Sequence, residues 1–266
     1  MKDPFRERLS GIAPTGQREF ARRPRTAPRT LAELPGVVRS DGVLVVERSA
    51  ADFAGEALEE VLAAVTRSRR AVIGRDDIDA DIRALLERPG GALFIDTETT
   101  GLAGNMVFLL GAMRVEEGGI TLTQVFARDY TEERALLEAW TEMAGRAEML
   151  VSFNGKAFDV PLLRDRLGFH RLPAAPDLPH VDLLHHARRR WRAVLPDCRL
   201  QTLEWQLCGR RRAGDIPGED IPEVYHRFVR TGDARDVLTV FHHNALDLLT
   251  LADVALALTA PEDGPA

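Results

Sequence analysis

A chain of 266 residues, 45% hydrophobic and 29% charged, has the make-up of a soluble globular protein with one large domain or a domain plus an extension. Its net charge of −6 argues against a dedicated high-affinity DNA binder, and Cys198 and Cys208 are too few for a disulfide framework or a Cys-based zinc site. With no apolar run of membrane-spanning length and no amino-terminal apolar leader, the expected location is cytoplasmic.

Residues 1–30 carry eight basic and three acidic residues in a Pro- and Arg-rich stretch ("ARRPRTAPRT") without apolar periodicity. That pattern predicts a disordered basic tail, either an electrostatic tether to nucleic acid or a solvated segment with no role. "VVRSDGVLVVERS" then reads as a hairpin around Asp41-Gly42, two apolar runs joined by a turn signal. Ala57, Leu58, Val61, Leu62 and Val65 have helical spacing, as do Ile78, Ile82, Leu85 and Leu86. Residues 31–88 are therefore an extension of hairpin plus helices, whether a separate lobe or padding on the main domain, which is placed at 89–260. "RPGG" at 88–91 breaks the last of these helices.

The main domain opens with Leu93-Phe94-Ile95, a short buried strand. Two more strands are predicted at Met106–Arg114 and Ile120–Phe126, separated by "VEEGG". A helix follows at about 132–145, a strand at Met149–Phe153, a helix from about 161 and a short strand ending near Val181. The next helix has Leu184, Ala187, Trp191 and Leu195 on one stripe, which makes Trp191 a core residue and leaves the arginines of "ARRRWR" solvated and free to meet phosphate. Another helix covers Leu200–Leu207, and a long one spans roughly 235–258. Three strands in succession, then strands alternating with helices, predict an α/β fold: a mixed sheet flanked by helices.

Three stretches carry chemistry. In "LFIDTETTGLAG" at 93–104, Asp96 and Glu98 are two apart on a strand and point to the same face, where like charges repel and lose hydration. In "LVSFNGKAFDVPLL" at 150–163, Asp159 precedes Pro161 and by itself reads as a helix cap. In "FHHNALDLLTLADV" at 241–254, Asp247 lies among leucines of an apolar helix, where a carboxylate is disfavoured by propensity and by burial. His243 is four residues earlier and shares its face.

An Asp-x-Glu on a strand, a loop Asp after an Asn, and a helical Asp with a His one turn earlier repeat the order of the DEDD exonuclease superfamily, the DnaQ-like branch of the ribonuclease-H-like fold. The chain most resembles the YprB-like ribonuclease-H-like family, in "FIDTETTGL", "NGKAFDVP", "HVDLLHHARRRW", "CRLQTLEWQL", "GDIPGEDIP" and "HNALDLL", over about residues 90–258. The resemblance implies a ribonuclease-H-like exonuclease domain that removes nucleotides from the 3′ end of single-stranded DNA or RNA. It also implies two divalent ions, Mg2+ or Mn2+, which suit hard oxygen ligands and clamp a phosphodiester from both sides. Asp96 would bridge both ions, Glu98 and Asp247 would hold the one that activates water, and Asp159 would hold the one at the leaving group. Thr100, Gly101 and Leu102 would approach the terminal nucleotide.

Other residues have competing readings. Asp182 is first a helix N-cap and second a metal ligand. Asn154 either fixes its loop or touches the substrate backbone. Lys156, one of two lysines among thirty-five basic residues, is a candidate phosphate contact or a plain surface residue. "GDIPGEDIP" has turn chemistry and no legible role. In the superfamily the third motif has Tyr four residues before the Asp or His five before it, and this chain has His at both places, 243 and 242. No Gly or Pro interrupts 234–260, so a continuous helix is expected, with His243 facing Asp247 and His242 turned away, about 140° round. Two alternatives to the exonuclease remain: a weak or inactive nucleic-acid-binding module on the same fold, and an endonuclease. The presence of all four carboxylates favours the enzyme.

Overall fold

The computed structural model describes residues 31, 34, 36–39, 42–49, 78–101, 106–116, 119–210, 212 and 214–259. The basic stretch at 1–30, the periodic segment at 57–65, Asp41 of the hairpin turn and Leu102 lie outside them.

Strands β1 (Val37–Arg39) and β2 (Leu44–Ser49) form the expected hairpin, and helix α1 (Ala80–Glu87) buries Ile82, Leu85 and Leu86 on one stripe. Next come β3 (Ala92–Thr99), β4 (Val107–Glu116) and β5 (Gly119–Phe126), each antiparallel to the one before. The chain then alternates through α2 (Glu133–Gly145), β6 (Met149–Ser152), α3 (Asp159–Phe169), β7 (His180–Asp182) and α4 (Leu183–Trp191). It closes with α5 (Leu200–Cys208), α6 (Ile221–Thr231) and α7 (Val237–Ala257). Among the described residues no helix is long and apolar enough to cross a membrane.

All seven strands form one mixed sheet in the order β1-β2-β5-β4-β3-β6-β7, with β6 and β7 parallel to β3. The hairpin extends this sheet, because β2 runs antiparallel to β5 from Leu44 opposite Phe126 to Ser49 opposite Thr121. Side chains alternate across β3. Leu93 and Ile95 join Leu136, Trp140 and Leu163 of α2 and α3, whereas Phe94 joins Trp191, Ala245 and Leu248 of α4 and α7. By the same parity Asp96 and Glu98 face the side of α7, and Thr97 faces the side of α3.

Helix α6 has no counterpart among the sequence expectations, although its signal is present. Ile221, Val224, Tyr225 and Phe228 are buried at helical spacing, Pro222 lies in the first turn, and Gly232 closes the helix with φ +71°. The sequence expectations assign no element between the turn stretch "GDIPGEDIP" and the last helix.

One buried ion pair ties α2 to α3. The Glu133 carboxylate, 1% exposed, accepts from Arg166 Nε at 2.8 Å and Nη2 at 2.5 Å, and from the Val107 amide at 2.9 Å, with His170 Nε2 at 2.8 Å. Burial pushes this carboxyl up, but the hydrogen bonds from Arg166, His170 and Val107 outweigh it and hold its pKa below the usual value. A lowered folded-state pKa means that the stabilisation is present above the unfolded value and is lost as pH falls through the folded one. Glu133→Ala leaves Arg166 and the Val107 amide without their partner and is expected to cost about 3–5 kcal/mol at neutral pH. Urea midpoints for both proteins check this: the gap should be large at neutral pH and should narrow below about pH 4, where the wild type loses its advantage.

Candidate metal and active site

Strand β3 carries Asp96 and Glu98 past the end of its fully buried half. Asp96 lies opposite Gly111 of β4, and Gly111 lies opposite Gln124 of β5, so the three form one row across the sheet. Asn244 of α7 sits over the middle of this row. A Cβ on Gly111 would stand 2.2 Å from Asn244 Oδ1, so only glycine admits the amide there. Asn244 Nδ2 donates to Asp96 Oδ2 at 2.8 Å, and its Oδ1 accepts from Gln124 Nε2 at 2.8 Å. Gln124 Nε2 also donates to the Phe241 carbonyl at 2.8 Å, which can only accept. That contact orients both amides and presents Asn244 to Asp96 as a donor.

Asp159 reaches the same place from α3. It is the first residue of that helix and not its cap, which is Phe158, so the capping reading fails. Its Oδ1 accepts from the Thr97 hydroxyl at 2.5 Å and from the Thr97 amide at 3.1 Å. The loop before it is set by Asn154, whose φ of +68° is tolerated by Asn, and by Gly155, where a Cβ would meet Ser152 Oγ at 2.3 Å. Asp182 is the N-cap of α4, accepting from the Leu184 amide at 3.1 Å. It also accepts from the Asn154 amide at 2.8 Å and the Lys156 amide at 3.1 Å, and so braces the loop that delivers Asp159. The Lys156 side chain is exposed beside it.

Helix α7 runs unbroken from Val237 to Ala257, which turns His243 toward Asp247: Nε2 is 3.3 Å from Asp247 Oδ2. His243 Nδ1 is 3.0 Å from both oxygens of Asp215, the first Asp of "GDIPGEDIP". Arg212, 6% exposed at its side chain, pairs with Asp247 and Glu204 at 2.5 Å and with Asp215 at 3.2 Å. His242, adjacent on the helix, is half-buried, and burial lowers its pKa.

These contacts divide the charges into two groups. Burial, followed by repulsion from Asp247, Glu98 and Asp159, pushes the Asp96 carboxyl well above the usual range. Burial raises Glu98 to about 8 against the attraction of His243, and repulsion from Asp247 and Asp159 adds to the rise. Asp159 is also raised, mainly by burial, although Thr97 opposes the shift. Asp247 differs: burial would raise it, but His243 and Arg212 hold it low. Burial likewise works to strip the proton from His243, yet Asp215, Asp247 and Glu98 keep its pKa at about 11. The ring is clamped between two carboxylates, Asp215 at Nδ1 and Asp247 at Nε2, and these favour its charged form.

All four carboxylates named from sequence therefore converge, with His243 and not His242 among them. Thr100 and Gly101 follow directly, and the Thr100 hydroxyl accepts from the Met106 amide at 3.2 Å. Sequence reasoning missed Thr97, Gly111, Gln124, Asn244, Arg212 and Asp215. A polar Gln in the apolar strand "TLTQVF" and an Asp in an unassigned turn motif were the available signals.

The donor set suits hard divalent cations: the half-buried carboxylates of Asp96 and Glu98 are raised despite the attraction of His243, and a metal would relieve their repulsion. The quartet is not closed up on a single point, however, because Asp159 turns to Thr97 and Asp247 to Arg212. Among the described residues, the acidic and histidine side chains whose ligand atoms all lie within 4.8 Å of one another are Asp79, Asp81 and His186, elsewhere in the fold.

Comparison with known proteins finds a family profile, described as RNase_H superfamily, that matches residues 93–259. The uncharacterized protein YprB of Bacillus subtilis is 39% identical over 171 residues, which cover 62% of this chain and 41% of that protein. The chain thus spans about two fifths of the length of this relative. Among solved structures, the family B DNA polymerase of the hyperthermophilic archaeon Pyrobaculum calidifontis matches with a TM-score of 0.43 and 17% identity, over 62% of this chain and 27% of the polymerase.

Proposed function

The chain belongs to the RNase_H superfamily, and from that premise we propose that it is a metal-dependent nuclease, a 3′–5′ exonuclease acting on single-stranded nucleic acid. One observation carries the reading. Four carboxylates from β3, α3 and α7 meet in a half-buried site, where loss of hydration raises Asp96, Glu98 and Asp159, and repulsion within the quartet adds to the rise at Asp96 and Glu98. Nothing in the stability of the fold calls for that arrangement, and a bound cation offsets its cost.

Asp96, Glu98, Asp159 and Asp247 would hold Mg2+ or Mn2+, two ions in this reading. When bound, such ions polarise the phosphodiester and make water nucleophilic. The protein's own contribution is positioning. Asn244 aims Asp96, Thr97 holds Asp159, and Asp215 fixes the His243 ring with Nε2 toward Asp247. Thr100, Gly101, Leu102, Asn154 and Lys156 are assigned to the substrate strand. An open cleft of about 490 Å³ is lined in part by Glu204, Trp205, Arg210, Arg212 and Asp215, and of these Arg212 pairs with Asp247. An aromatic ring among arginines suits a single strand.

A second reading, a binding module without catalysis, draws on the pairing of Asp247 with Arg212 and His243, two cationic groups already standing at a metal ligand. Digestion of end-labelled single-stranded DNA and RNA in Mg2+, Mn2+ or chelator separates the readings. The exonuclease should shorten linear strands stepwise from the 3′ end, leave a closed circle intact and stop in chelator. Cutting of the circle would make it an endonuclease; binding without hydrolysis in any metal would make it the module.

A further inference from the structure

Apart from the quartet, Asp79, Asp81 and His186 form a cluster that the nuclease reading does not use. Asp79 is the N-cap of α1, and its Oδ1 accepts from the Asp81 amide at 3.0 Å, which holds both carboxylates at the first turn of that helix. His186 of α4, 6% exposed, is aimed at them: Nδ1 is 3.5 Å from Asp79 Oδ2 and Nε2 is 3.6 Å from Asp81 Oδ2. Arg189, one turn along α4, also pairs with Asp79 Oδ2.

The feature that points to a ligand is His186 Nδ1, a buried nitrogen with no hydrogen-bond partner despite the carboxylate beside it. Buried polar atoms are almost always satisfied, and each exception calls for a partner. A doubly protonated ring bridging the two aspartates would place a hydrogen bond there, and the geometry lacks one. A cation accepts the nitrogen lone pair without that requirement.

We propose that Asp79, Asp81 and His186 form a second divalent-cation site, of the zinc class and not of the magnesium class, that fastens α1 to α4. The imidazole supplies the selectivity, since nitrogen ligands favour zinc-like ions whereas magnesium prefers an all-oxygen shell. The two carboxylates balance the charge of the ion. Ligand atoms within 4.8 Å of one another span a centre with bonds of about 2.0–2.2 Å. Asp81, with 56% of its side chain exposed, leaves the open side to water. Arg189 competes with the ion for Asp79 Oδ2, so the site is tuned to lose affinity when that guanidinium is in place.

The test uses the full-length, tag-free chain, stripped with chelator and titrated with Zn2+ by calorimetry and with Co2+ by visible absorption. Wild type should bind one equivalent that excess Mg2+ does not displace, with ligand-field bands and no thiolate charge transfer. The Asp96→Asn chain should keep this equivalent, which separates it from any ion at the nuclease carboxylates. His186→Gln and, independently, Asp81→Asn should lose it; Asp81 is exposed, so that variant stays informative if the buried change disturbs folding. Arg189→Gln should bind more tightly than wild type. Equal zinc stoichiometry and affinity in wild type and Asp81→Asn, or displacement by Mg2+, would overturn the proposal.

Discussion

Asp96→Asn is expected to lower hydrolysis on the order of a thousandfold while leaving the fold intact, the scale seen when a group that stabilises developing charge is removed. Asn keeps the shape of the side chain, and its carbonyl can still accept from Asn244 Nδ2. What it removes is a charge that burial and Asp247, Glu98 and Asp159 all disfavour. A carboxyl whose folded pKa is raised takes up a proton on folding, so it destabilises the fold progressively as pH rises above its unfolded value. The metal-free variant should therefore melt at or above the wild-type temperature at neutral pH, and most clearly on the alkaline side. Mg2+ or Mn2+ should raise the melting temperature of the wild type more than that of the variant, because only the wild type has the full ligand set to gain from binding. Equal shifts in the two proteins over a metal titration would remove Asp96 from the metal site.

His243→Ala is expected to reduce turnover on the order of a hundredfold or more, and His242→Ala to stay near wild type. The asymmetry follows from helix geometry, since positions four apart share a face and positions five apart do not. His243 is also the group that Asp215 and Asp247 hold from both sides, so its loss leaves the two carboxylates to share Arg212. Asp215, Asp247 and Glu98 raise its pKa to about 11, so it can accept a proton only when those carboxylates are neutralised, as bound cations would do. His243→Tyr should recover part of the activity, because a phenol at that place can orient water. Steady-state rates on end-labelled single strands decide the matter. Activity lost with His242→Ala and kept with His243→Ala would mean that His242 is the working residue.

Local pattern accounts for much of this protein. The buried apolar runs of β3 and β4, the alternation in β5 and the apolar stripes of α1, α4 and α7 are properties of neighbouring residues, and each of these elements lies within a few positions of where the sequence pattern puts it. The carboxylates were legible for the same reason. A charge costs energy on a buried strand or in an apolar helix wherever that element packs, so Asp96, Glu98 and Asp247 stood out as violations that only a site could explain.

The partners of those charges were decided by tertiary structure alone. Asp215 lies 28 residues from His243 and Gln124 lies 120 residues from Asn244, and no periodicity links such positions. Gly111 looks like any strand glycine until β4 pairs with β3 and α7 lays Asn244 across the row. Asp159 by itself reads as a cap, and it is Thr97, from the opposite parity of β3, that holds its carboxylate. Hydrogen-bond direction and the share of charge between neighbours depend on distances of a few ångströms across separate elements. Which aspartates converge was written in the chain; which of them stay ionised, protonated or paired was settled only when the sheet and its helices closed around them.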